Sequence, residues 1–135
     1  MSLNQYQQRS LGVTLRLLEK ALDDIEALLG AGHQGLLYAV RTEISPEREA
    51  ELRQLSSDVR ALLAELTQRY QLPVQQEDGL RIISARLSSA WEDLEDSRPR
   101  KLRRYGQVDP EVAEELEPRV EALTQLVLAM EKLTN

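Results

Sequence analysis

Four stretches of the chain carry apolar residues at alternating steps of three and four positions. Because an α-helix has about 3.6 residues per turn, these steps place the side chains along one stripe of a helix. The stripes are Leu11, Leu15, Leu18, Leu22, Ile25 and Leu29; Leu52, Leu55, Val59, Leu62 and Leu66; Leu80, Ile83, Leu87, Ala90 and Leu94; and Leu116, Val120, Leu123, Val127 and Met130. The pattern predicts four long helices and constrains the fold more than any other feature.

Each stripe is widened by neighbouring apolar residues such as Leu17, Leu63 and Leu126. Wide stripes favour a globular bundle over a two-stranded coiled coil. A chain of 135 residues, rich in leucine and without phenylalanine, has room for one domain. We therefore expect an all-α fold in which residues 1–135 form a single antiparallel bundle of four main helices.

Turn and cap residues separate the four stretches. Ser45-Pro46-Glu47 and Asp109-Pro110-Glu111 each combine a capping side chain, a proline suited to the first helical position and an acid in the first turn. Pro73 predicts the end of the second helix, because the residue before a proline is pushed out of the helical region.

Residues 36–44, LLYAVRTEI, fit two patterns. Leu36, Tyr38, Val40, Thr42 and Ile44 alternate as in a strand, whereas Leu36, Leu37, Val40 and Ile44 share a helical face. A single strand needs a partner, which a second subunit would have to supply in an otherwise helical chain. We expect a short fifth helix here, with a dimer-forming strand as the alternative.

Residues 30–35, GAGHQG, match the G-x-G-x-x-G fingerprint of dinucleotide-binding folds. In those folds the glycines follow a buried strand and open a helix whose N–H groups hold a pyrophosphate. Here they follow an amphipathic helical segment, so we interpret Gly30 as the end of that helix. His33 is the chain's single histidine, which excludes a di-metal site of the ferritin type. No cofactor is expected.

Acidic residues recur at spacings of three in two of the predicted helices. Such acids share a helix face, and two faces could hold Mg²⁺ between antiparallel helices. The candidate set is Glu92, Glu95, Glu111 and Glu114. The pattern loosely resembles the all-α nucleotide pyrophosphohydrolases, but their second pair ends in aspartate, where this chain has Glu114. We regard a solvated helix face as the better interpretation, and no metal site is predicted.

Five of the 17 basic residues lie within seven positions, at Arg98, Arg100, Lys101, Arg103 and Arg104. If the helix breaks at Pro99, free N–H groups beside these residues would favour an anion or phosphate site. If the chain instead returns antiparallel, Arg103 lies opposite Glu111 and Arg100 opposite Glu114. We expect this intramolecular pairing, with anion binding as the alternative.

The remaining features favour a protein partner. Tyr38, Trp91 and Tyr105 are candidate interface residues, since aromatic side chains are common at interfaces. The net charge of −6 argues against nucleic-acid or acidic-membrane binding. The absence of cysteine, of a charged-then-apolar leader and of an 18-residue apolar run predicts a cytoplasmic protein without disulfides.

We expect a non-enzymatic helical module that acts through protein–protein contacts, as a homodimer. A Mg²⁺-dependent phosphohydrolase and a small-anion binder are the alternatives.

Overall fold

The fold is almost entirely helical. In the computed structural model, which describes residues 2–135, the chain forms four long helices, a short helix and a two-stranded hairpin. In chain order the elements are α1 (Gln5–Leu28), β1 (His33–Gln34), β2 (Ala39–Val40), α2 (Pro46–Arg69), α3 (Gly79–Glu95), α4 (Pro99–Leu102), a 3-10 turn (Arg103–Tyr105) and α5 (Pro110–Lys132). The predicted all-α fold is confirmed, and the four stripes coincide with the four long helices.

The helix boundaries follow the local chemistry. Ser45 caps α2 by accepting a hydrogen bond from the N–H of Arg48 (3.2 Å), and Asp109 caps α5 by accepting from the N–H of Glu111 (2.9 Å). Both helices have a proline in their first turn. The two predicted helix starts are therefore confirmed, since each side-chain oxygen satisfies an N–H that has no partner within the helix.

The described chain divides into two compact units, one ending at Gln75 and the other beginning at Gln76. The first contains α1, the hairpin and α2; the second contains α3, α4 and α5.

In the first unit, α1 and α2 pack together and run in opposite directions. Near the start of α1, the amide of Gln8 donates to the carbonyl of Tyr70, which follows α2 (3.1 Å). At the other end, the carbonyl of Leu29 accepts from Arg53 in the second turn of α2 (3.0 Å). Because the start of each helix meets the end of the other, the pair is antiparallel. Its buried apolar residues are Leu22, Leu29 and Leu63.

In the second unit, α3 packs antiparallel against α5. Ser88 in α3 donates to Glu131 near the end of α5 (2.8 Å), and Arg98, just after α3, contacts Glu117 earlier in α5 (2.6 Å). Val120 and Thr124 of α5 are buried. The Thr124 hydroxyl donates to the carbonyl of Val120 (2.9 Å), so its burial leaves no unpaired donor.

The short helix expected at residues 36–44 is not formed, and this part of the prediction is wrong. Ala39–Val40 instead pairs antiparallel with His33–Gln34 of the same chain, with His33 opposite Val40. The loop between them is closed by the N–H of Gly35, which donates to the carbonyl of Tyr38 (2.9 Å). The strand pattern was present, and the partner of this strand is the glycine-rich segment that precedes it in the same chain.

No helix in the described part of the chain is long and apolar enough to cross a membrane.

The hairpin predicts a strict requirement for glycine at position 32. Gly32 has a φ of +73°, and a Cβ there would lie 2.5 Å from the carbonyl oxygen of Val40. We expect Gly32→Ala to lower the free energy of unfolding by about 1–3 kcal/mol, because both the backbone conformation and this contact become strained. Urea denaturation followed by circular dichroism measures the change.

The matched control is Gly79→Ala, since a Cβ at Gly79 has no neighbour within 4 Å. Equal stability of the two alanine variants would contradict the requirement at position 32.

Candidate functional site

The glycine-rich segment begins where α1 ends, as the sequence predicts. The N–H of Gly30 donates to the carbonyl of Ala27 (3.2 Å), and the Thr42 hydroxyl donates to the carbonyl of Leu28 (2.7 Å). The His33 ring stacks on the Tyr38 ring, with centroids 4.5 Å apart and planes inclined by 23°. These contacts tie the hairpin to the end of α1, and a helix, not a buried strand, precedes the glycines.

The basic cluster lies where the chain breaks between α3 and α4. Helix α3 ends at Glu95, and Pro99 begins α4 after three intervening residues. Pro99 is buried. The break that an anion site would require is therefore present, but the cations around it are already engaged to different degrees.

Arg98 lies at the centre of a carboxylate cluster, and its side chain is only 11% exposed. Its guanidinium donates to Glu95 (2.9 and 3.0 Å), to Glu117 (2.6 Å) and to Glu121 (2.5 Å). A guanidinium carries five N–H donors in a fixed fork, so one arginine can bind three carboxylates at once. Arg98 thus joins the end of α3 to the middle of α5.

The hydrogen bonds of this cluster shift the pKa values of Arg98, Glu95 and Glu121. The hydrogen bonds from Arg98 are the largest cause that lowers the pKa of Glu95 and of Glu121 from the ordinary value of 4.5. In turn Glu95, then Glu121 and Glu117, raise the pKa of Arg98. The charged forms of Arg98, Glu95 and Glu121 are therefore favoured, and Arg98 makes four hydrogen bonds to carboxylates of the protein itself.

The other cations of the cluster are more exposed. Lys101 and Arg104 approach Asp96 at 3.8 and 4.0 Å, distances at which an exposed ion pair contributes little. The guanidinium of Arg104 also lies 5.4 Å from the centre of the Tyr105 ring. Arg100 and Arg103 make no ion pair with any residue in the described chain. The expected pairs with Glu114 and Glu111 are therefore not formed, and Arg98, which has no place in that scheme, makes the connection to α5.

The four candidate metal-binding glutamates are not gathered into a site. Within residues 2–135, no group of three or more histidine or acidic side chains is placed to hold a metal ion. Of the four, Glu95 is bonded to Arg98, whereas Glu92, Glu111 and Glu114 are exposed.

The three aromatic candidates lie in different surroundings. Tyr38 and Tyr105 are 64% and 79% exposed. Trp91 is half-buried in α3, and its indole Nε1 is buried without a hydrogen-bond partner among the described residues. Tyr38 belongs to the first unit, and Trp91 and Tyr105 belong to the second.

The sequence did not reveal how incompletely helix pairing covers the apolar stripes. Leu22 and Leu63 are buried at the contact between α1 and α2, but Leu18 is 40% exposed and Leu62 is 58% exposed. Among the residues that the structure describes, the buried core of large aliphatic side chains consists of Leu22, Leu29, Leu63 and Val120. The exposed members beside the contact are Leu18, Ile25 and Leu28 of α1 and Leu55 and Leu62 of α2.

These exposed residues lie on one face of the α1–α2 pair. Successive helical residues are rotated by about 100°, so Leu18 and Glu26 lie on opposite flanks of Leu22. By the same rotation, Leu62 and Arg60 lie on opposite flanks of α2. Glu26 and Arg60 are bonded to each other (2.9 Å), so their flanks form one face. The leucine flanks therefore form the opposite face, which we call the apolar face.

The second unit has the same division. Arg98 and its three glutamates mark one face of the α3–α5 pair, while the other flanks carry exposed apolar residues. These are Ile83 of α3 and Leu123, Leu126 and Met130 of α5, which are 47%, 51%, 63% and 54% exposed. In each helix pair, the ion pairs that join the two helices lie on one face and exposed apolar residues lie on the other.

Comparison with known proteins gives no functional assignment: no protein-family model, curated protein or solved structure matches the chain.

The Arg98 cluster predicts a specific acid dependence of stability. Glu95 and Glu121 have lowered pKa values in the folded state, so their contribution is fully present above pH 4.5 and is lost as the pH falls through the folded values. We expect Arg98→Met to lower the urea midpoint of unfolding at neutral pH. The difference in midpoint between the variant and the original protein should become smaller as the pH falls below 4.5. Urea titrations of both proteins at neutral and at acidic pH measure this difference.

Arg119→Met provides the control, because the exposed Arg119 contacts only Glu115 of its own helix, through an ion pair (3.9 Å) and a hydrogen bond to the carbonyl (2.7 Å). It should change the midpoint little at any pH. A gap for Arg98→Met that stays constant into acid would contradict the role assigned to the cluster.

Proposed function

We propose that this protein is an interaction module that self-associates through the apolar face of its α1–α2 pair. The observation that carries the proposal is the exposure of Leu55 and Leu62, more than half uncovered, beside a helix contact that buries Leu63. Monomeric proteins rarely expose extended apolar patches, and those that do commonly use them for binding.

A second copy of the chain is the occupant that the geometry favours. A pair of helices with one apolar face is half of a four-helix bundle. If two copies pack through this face about a two-fold axis, each copy covers the same exposed residues of the other. The ion pair that joins α1 to α2, between Glu26 and Arg60, lies on the opposite face, so such packing does not bury it.

The small core supports the same proposal. Helical domains of this length normally bury a larger share of their surface, yet most leucines of the four stripes here are half-buried or exposed. Removing an exposed apolar side chain from water contributes about 25 cal/mol per Å². Association would therefore gain from the residues that helix pairing leaves uncovered.

The alternative proposals have less support. A small-anion binder at Arg98 to Arg104 competes with three carboxylates for its least exposed arginine. For the hydrolase, no group of three or more acids among the described residues is placed to hold a metal ion.

Self-association predicts a mass in solution of about twice 15.4 kDa over a series of concentrations, measured by light scattering or sedimentation equilibrium. Leu62→Glu is expected to shift the protein to the monomer, because it places a charge in the centre of the apolar face. Added salt should not dissociate the dimer, since its contact is apolar and both copies carry the same net charge.

Ala64→Glu is the matched control, since it adds the same charge to the opposite flank of α2 and should leave the dimer intact. Leu126→Glu tests the apolar face of the second unit in the same way. A monomer at every concentration, or a dimer that survives Leu62→Glu, would overturn the proposal, and a dimer lost only in Leu126→Glu would assign the contact to the second unit instead.

A further inference from the structure

A groove of about 440 Å³ lies on the first unit, between the first three turns of α1 and the segment that follows α2. Two arginines, Arg9 and Arg16, line it, and no acidic residue does. The groove is not part of the apolar face: Arg9 and Arg16 lie on the flank of α1 that also carries Glu26, whereas Leu18 and Ile25 lie on the other.

The two arginines are free to bind a ligand. Neither Arg9 nor Arg16 forms an ion pair within residues 2–135, although the chain has 23 acidic residues. This contrasts with Arg60 and Arg98, whose guanidinium groups are held by carboxylates. An uncompensated pair of cations in a concave site favours an anionic ligand.

The floor of the groove is left open by a glycine. Gly12 lies inside α1, where glycine is unfavourable for a helix, and it lines the groove together with Val13 and Pro73. Internal packing does not demand glycine here, since the nearest atom to a Cβ would be the Arg16 guanidinium at an ordinary 3.9 Å. An unexplained helical glycine therefore coincides with the space between the two arginines.

The polar residues around this floor match a peptide better than a phosphate. The side-chain amides of Gln5 and Gln75 line the groove and make no hydrogen bond with the described residues. An amide offers both donors and an acceptor. A peptide backbone presents N–H and C=O groups together, whereas a phosphate presents acceptors only.

The spacing of the arginines defines the charge pattern of such a peptide. Seven residues of helix separate Arg9 from Arg16 by about 10.5 Å along the axis. In a polyproline II segment, residues three apart lie on the same side and about 9.3 Å from each other. We propose that the groove binds an extended acidic peptide with carboxylates at every third position.

The probe that tests this is a fluorescein-labelled peptide of sequence Glu-Pro-Pro-Glu-Pro-Pro-Glu, titrated with the full-length protein and followed by fluorescence polarisation. Saturable binding that weakens with added salt is expected, with roughly a fivefold loss of affinity for Arg9→Gln and for Arg16→Gln. The same peptide with glutamine in place of glutamate should not bind.

Arg41→Gln is the matched control, since it removes the same charge from an exposed site of the same unit that does not line the groove. It should bind the probe as the original protein does, and so should Leu62→Glu, which separates this inference from the proposed dimer. Circular dichroism confirms that each variant keeps its helices. Absence of binding, binding unaffected by either groove substitution, or an equal loss for Arg41→Gln would overturn the inference. Preferential binding of inorganic tripolyphosphate would also overturn it.

Discussion

The structure depends on the burial of leucine stripes between antiparallel helices, taken two helices at a time. Pairing two helices covers only the centre of each stripe, since the contact between two cylinders is narrow while the stripes are wide. Leu22 and Leu63 lie in that centre and are buried, and Leu18 and Leu62 lie beside it and are not. The leucines that stay exposed beside each contact are there because the apolar stripe is wider than the contact between the two helices.

Charge then decides which face of each pair remains available. In both units the ionic contacts between the two paired helices lie on one side: Arg60 joins Glu26 in the first, and Arg98 joins Glu117 and Glu121 in the second. These bonds fix the rotation of one helix against the other, because a small rotation would separate the charged groups. They also keep the charges away from the opposite face, where they would oppose any apolar contact.

The periodicity of the sequence was sufficient to predict the helices, and the caps at Ser45 and Asp109 located two of their starts. The hairpin was predicted as a helix because Leu36, Val40 and Ile44 satisfy both periods, and the deciding feature was the pairing with His33, which local pattern alone does not specify. The basic cluster was found, but the pairs expected for Arg100 and Arg103 were wrong, and the connection that Arg98 makes to α5 was not predicted. The partners of Arg98 lie 19 and 23 residues away on a helix whose rotation the sequence does not give. The groove lined by Arg9 and Arg16 left no signal except the glycine between them.

The hairpin that follows α1 is also an exposed site for proteolysis. Its loop presents Leu36 and Leu37 almost entirely to solvent, at 99% and 94% exposure, on a ladder only two residues long. Exposed loop tips are preferred sites of proteolytic cleavage. A protease that cuts beside bulky apolar residues should therefore act here first. The two fragments would still be joined by the contacts of α1 with α2, so cleavage of the chain at this point need not separate the helices.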